Sequence, residues 1–155
     1  MSGVNPRREI GVGMPQSTAD SGGVFGNSLV ARILGGLGCL AVAAIHVIDQ
    51  GGLPGSKGPG YVQIMYYALE VAGVVVAALL LANQARVGWL LSLGVAAGPL
   101  VGYALSRGPG LPDYTDDIGN WTEPLGVISL IVEAILLILA AALLTTLRRA
   151  RHAAT

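Results

Sequence analysis

Apolar residues along this chain come in four long blocks rather than in alternation. The side chains are almost continuously apolar over residues 29–48, 61–83, 87–106 and 125–147, each close to the ~20 residues a helix needs to cross ~30 Å of hydrocarbon. Inside the blocks only Arg32, Glu70 and Glu133 are fully charged. A half-wet strand would alternate, and in lipid only helices or closed barrels satisfy every backbone group, so the pattern predicts helices. The connections are Gly/Pro-rich at 49–60, three residues long at 84–86, and longer at 107–124. A three-residue link makes the second and third helices antiparallel neighbours. The expected fold is all-α, a four-transmembrane-helix bundle forming one domain over 29–147. A disordered tail over 1–28 is expected before it, and a short basic tail over 148–155 after it.

The distribution of Lys and Arg orients the bundle. Arg7, Arg8, Arg32, Arg86, Arg148, Arg149 and Arg151 fall on one side and only Lys57 and Arg107 on the other. The positive-inside rule then puts both termini in the cytoplasm of a cell whose plasma (inner) membrane holds the protein. Tyr61, Tyr114 and Trp121 are expected at the outer boundary and Trp89 at the inner one, where amphipathic rings favour the headgroup level. Arg32 followed by a short apolar run and Ala41-Val42-Ala43 imitates a cleaved signal, but the stretch is long enough to span, and an uncleaved first helix is expected.

Composition narrows the function classes. Of 155 residues, 53% are apolar and 12% charged, with a mean hydropathy of +0.66, far from a soluble domain. Nine basic and nine acidic residues cancel, which leaves no field to attract nucleic acid. Cys39 is the sole cysteine, so paired-thiol chemistry is excluded. A haem held by two histidines is not expected, because His152 lies in the tail and His46 is the only other histidine. No nucleotide loop, nucleophile–base pair or metal motif appears, so no enzyme and no cofactor are expected. The partners expected are the lipid bilayer and either a membrane protein or further copies of the chain.

The candidate chemistry lies in the outer half. Glu70 is nine residues into the second block and Glu133 eight residues into the fourth, which places both acids ~12–14 Å below the outer boundary. Carboxylates inside a span cost ~2.5–3.5 kcal/mol near the centre and face the bundle interior. His46 and Asp49 approach from the first helix, Tyr66 sits one turn from Glu70 as a hydrogen-bond donor to it, and Arg107, with Tyr103, adds a positive charge and a further donor at the end of the third. The set His46, Asp49, Glu70, Glu133, Tyr66 and Arg107 reads as an outward-facing polar cluster. It suits a structural network, a proton or substrate site, or a zinc or manganese ion on His46, Asp49, Glu70 and Glu133, though without a diagnostic ligand spacing.

Gly94, Gly98 and Gly102 form a GxxxGxxxG stripe on the third helix beside Pro99. Such a stripe lets a neighbouring backbone approach closely, and packing inside the bundle is expected of it, with oligomer or partner contact as the alternative. Gly35 and Cys39 make a weaker pair of the same kind. In the long outer loop Asp116 and Asp117 suit a cation or a basic partner as well as plain solvation, and Thr122 is the expected N-cap of the last helix.

His46, then Arg107 with Gly110-Leu111-Pro112, then Glu123-Pro124-Leu125-Gly126, and Glu133 in the final helix together resemble a loose group of small four-helix bacterial membrane proteins from high-GC genomes. The resemblance implies the topology and carries no activity. The function expected is a non-enzymatic accessory or scaffold subunit of a larger respiratory or envelope complex. The alternative is a small oligomeric proton- or cation-binding transporter-like protein that uses the Glu/His cluster.

Overall fold

The computed structural model describes residues 28–152. It contains four helices: α1 (Leu29–Asp49), α2 (Gly60–Leu81), α3 (Ala85–Arg107) and α4 (Pro124–His152). All are long and apolar enough to cross a membrane, and only 28% of the most apolar window of each is covered by the rest of the protein. The remainder, including Ile64, Val71, Ile131 and Ile138, is bare apolar surface. In water such a coat would drive association, whereas in hydrocarbon it is the ordinary exterior of a spanning bundle. The chain folds as a multi-pass α-helical membrane protein.

Local chemistry sets the helix ends. The Ser28 hydroxyl accepts from the Ala31 amide at 3.2 Å and caps α1; the rest of the expected tail over 1–27 lies outside the described residues. At the other end of α1, Gly51 adopts φ +89° and the Gly52 amide reaches back to the Val47 carbonyl at 2.8 Å, a left-handed stop that glycine accepts without strain. Asn83 does the same for α2 with φ +66°, and the Gln84 amide bonds the Leu79 carbonyl at 2.9 Å. That is why α2 ends at Leu81, two residues before the apolar pattern does.

Two expectations at the fourth helix are corrected. Its N-cap is Glu123 rather than Thr122: the carboxylate takes the amides of Leu125 at 3.2 Å and Gly126 at 2.7 Å. An acid there also answers the positive end of the helix dipole, and Pro124 gives up no useful N–H at the first position. At the far end the helix does not stop at 147 but continues through His152 into the basic segment; Leu, Arg and Ala carry little helix penalty.

The helices run up and down. Tyr61 donates to the Pro112 carbonyl at 2.6 Å and ties the first loop to the third, while Arg32 donates to Asn83 at 2.6 Å and ties the start of α1 to the α2–α3 link. One end of the bundle therefore carries both long loops (the loop end), and the opposite end carries the short link, the start of the first helix and the end of the last (the terminal end). α2 and α3 are antiparallel neighbours, but the most extensive packing joins α1 to α2 and α3 to α4. Small residues bring α1 and α2 together: a Cβ on Gly73 would lie 2.8 Å from the Cys39 carbonyl oxygen. Trp89 is fully buried and occupies the space that a side chain at Gly35 would fill. It is a core residue, not the inner interfacial ring the sequence suggested, because the glycine opposite makes a ring-sized hole. Around it Leu80, Val76, Leu136 and Ala140 form an apolar core.

Candidate functional site

The polar side chains collect at the loop end. On α4, Ser129 and Glu133 are one turn apart and on one face, and the Ser129 hydroxyl donates to Glu133 Oε1 at 2.5 Å. Glu133 is 1% exposed. His46 on α1 brings Nε2 to 3.9 Å from the same oxygen. The other ring nitrogen, Nδ1, is 2.9 Å from the Val42 carbonyl. A carbonyl only accepts, so Nδ1 carries a proton, and Nε2 faces Glu133 as the nitrogen free to gain or release one.

Asp49 lies one turn beyond His46, at the end of α1 where a negative charge opposes the helix dipole. It is compensated: Lys57 Nζ binds both its oxygens, at 2.7 and 2.8 Å, and the Tyr66 hydroxyl donates to Oδ2. The Tyr66 ring also packs on the His46 ring at 5.5 Å between centroids. Arg107 ends α3 and organises the long loop. Its guanidinium donates to Ser106 at 2.9 Å, to Asp117 at 3.4 Å and to the Asn120 carbonyl at 3.3 Å, lies 3.8 Å from Glu123 and stacks 4.2 Å over the Tyr103 ring. Its own carbonyl accepts from Gly119 at 2.8 Å. In the loop Tyr114 donates to Asp117 at 2.7 Å; burial and that acceptor push the Tyr114 hydroxyl up from its ordinary range.

His46, Asp49, Tyr66, Arg107 and Glu133 line one cavity of about 60 Å³, together with Pro99 and Tyr103. This is room for at least one water molecule, for which about 10–15 Å³ by this measure suffices. A 3.9 Å separation is too long for a direct hydrogen bond and short enough for a bridging water or a small rotation of either side chain.

Five of the six expected cluster residues thus meet, and Glu70 does not join them. It is 8% exposed and receives Gln50 Nε2 at 2.5 Å, while Tyr66, expected to serve it, turns to Asp49. Gln50 follows the last residue of α1 and is itself buried, so it reaches Glu70 before any member of the cluster does. The metal set also fails to assemble: among the described residues no three His, Cys, Asp or Glu side chains gather as a metal-ion site. Glu70 is drawn to Gln50, and the Asp49 oxygens are filled by Lys57 and Tyr66. Asp117 is turned inward to Arg107 and Tyr114, which leaves Asp116 as the exposed member of the acidic pair.

Ser129, Lys57 and Gln50 were not singled out from the sequence. The i, i+4 spacing of Ser129 and Glu133 was a usable signal; the other two are fixed by how the first loop folds back. The glycine stripe is the largest reversal. A Cβ on Gly94, Gly98 or Gly102 would meet nothing within 4 Å, so the stripe does not pack inside the bundle. No family model, no curated protein and no solved structure matches the chain.

Proposed function

We propose that this protein is a small proton-binding, transporter-like membrane protein whose site is the His46–Glu133 pair, with its loop end facing out of the cell and both termini in the cytoplasm of a bacterial plasma membrane. The observation that carries the reading is the buried Glu133 carboxyl facing His46 Nε2 at 3.9 Å on the wall of a polar cavity. An unshared carboxylate in hydrocarbon is costly, and so is an unshared imidazolium. One proton held between the two groups leaves the pair neutral overall, either as acid and neutral ring or as carboxylate and imidazolium. Arg107 and Lys57 are each already paired with carboxylates, so neither is left over as a counter-ion for Glu133.

The test is proton movement in proteoliposomes under an imposed potassium diffusion potential, read by a trapped pH-sensitive dye. Wild type should acidify or alkalise the lumen faster than empty vesicles, and Glu133→Gln, which retains the size and an acceptor for Ser129, should abolish the difference. Equal rates in wild type and Glu133→Gln would overturn the transport reading.

A second reading, a non-enzymatic accessory subunit packed against itself or a larger complex, is favoured by one specific surface. Ile128, Ile131, Ile135 and Ile138 stand bare on α4 at alternating three- and four-residue spacing, the seam that one helix offers another. Recovery of a lone monomer in mild detergent would count against it.

A further inference from the structure

A second cavity shares His46, Tyr66, Pro99 and Arg107 with the first. Between α2 and α3 at the loop end lies a space of about 280 Å³, whose polar end is made by His46, Tyr66, Arg107, Tyr114 and Asp117 and whose apolar walls include Met65, Leu69 and Gly98. It shares Ala68 and Leu69 with an open groove of about 850 Å³ that runs on along Val75, Leu91 and Gly94. From Gly94 to Ser106 the slot follows α3 for ~18 Å. Its polar end lies at the loop boundary of the bundle and its apolar end near the middle. This is the polarity of a bilayer amphiphile standing in one leaflet.

Three properties of the slot select its occupant. The first is charge: Arg107 is answered by Asp117 and Glu123 and Lys57 by Asp49, so no cation is left for a phosphate and a neutral head is required. The second is shape: Gly98 and Gly102 present bare backbone with nothing within 4 Å of where a side chain would start, on the wall of a space that the rings of Tyr66 and Tyr114 also line. The third is size, set by the head cavity and the groove that continues it. At about 280 Å³ the head space falls just below the ~300–1,000 Å³ of ordinary small-molecule sites, and the groove supplies the length for a single tail.

We propose that this slot binds a neutral, single-tailed membrane amphiphile with a planar, hydrogen-bonding head, the chemistry of an isoprenoid quinone or its quinol. The head lies among His46, Tyr66 and Tyr114, and the tail runs along the glycine wall of α3. The assignment concerns binding alone and stands on the two cavities. It does not require that the His46–Glu133 pair transport protons.

The experiment measures retention of decylubiquinone by the full chain in nanodiscs over retention by empty nanodiscs, by extraction and absorbance. Wild type should retain the probe saturably. Gly98→Leu and Gly102→Leu, whose Cβ would meet nothing within 4 Å and whose side chains narrow the slot, should weaken binding by at least about tenfold, a loss of ~1.4 kcal/mol, with no fall in thermal midpoint. Glu133→Gln should still bind, so failure of the proton reading leaves this result standing. Retention no greater than in empty discs, or unchanged affinity in both leucine variants, would overturn the proposal. Equal displacement of the probe by decanol would show that only the tail is read and would overturn the head assignment.

Discussion

The two halves of the bundle are built on opposite rules. At the terminal end Trp89, Leu80, Leu136 and Ala140 interlock, helices touch through glycine, and Cys39 and Ser92, 3.6 Å apart, are fully buried. At the loop end the same four helices line cavities, and hydrogen bonds among charged and hydroxyl side chains take over the work of holding them. The difference separates stability from chemistry: the apolar half fixes the helices, so the polar half can leave room for a ligand. It also closes the terminal end, so under the proton reading a proton that reaches Glu133 from the loop side passes on only when that packing opens.

The comparison is broken most directly by attacking the apolar half. Trp89→Ala empties the centre of the core and should cost roughly 3–5 kcal/mol, measured as unfolding in mixed micelles; a loss under about 1 kcal/mol would mean that the terminal half does not carry the fold. Arg107→Ala should cost about 2–3 kcal/mol, because Asp117 and Glu123 lose a charged donor and the loop its organiser. Increased proteolysis within residues 108–123 is expected in that variant, and an intact loop would argue against the hub.

Glycine sharpens the contrast. Gly73→Ala pushes a methyl toward the Cys39 carbonyl and should destabilise by about 1–3 kcal/mol, while Gly98→Ala meets open space and should gain up to about 1 kcal/mol from helix propensity. Equal effects would erase the distinction between a packed face and an open one. The smallest effect is at high pH. The neutral Tyr114 hydroxyl is favoured by the fold, so its contribution is complete below the ordinary tyrosine value of about 10 and fades above it. Tyr114→Phe should remove that alkaline loss in a thermal melt series.

Much of this was legible in the sequence, for reasons that differ by residue. Continuous apolar runs revealed the four helices to within a residue or two at most ends, because a hydrocarbon solvent tolerates nothing else. His46, Asp49, Tyr66, Arg107 and Glu133 were legible as a group, since polar side chains in a span must find one another. Glu70 was misassigned because depth along a helix was readable and the reach of Gln50 across the α1 terminus was not. Trp89 and the α3 stripe were misread for a shared reason: a ring or a glycine has a meaning set by what lies opposite it, and Gly35 lies opposite the one while a cavity lies opposite the other. Glu123 displaced Thr122 as a cap by a single residue, the scale at which loop geometry decides.

The coupling between His46 and Glu133 is the centre of the functional reading, and infrared pH-difference spectroscopy of the protein in lipid measures it. The carboxyl band lost in Glu133→Gln should titrate together with the His46 ring bands in wild type and shift its midpoint in His46→Gln. A Glu133 band that titrates identically with and without His46 would contradict a shared proton.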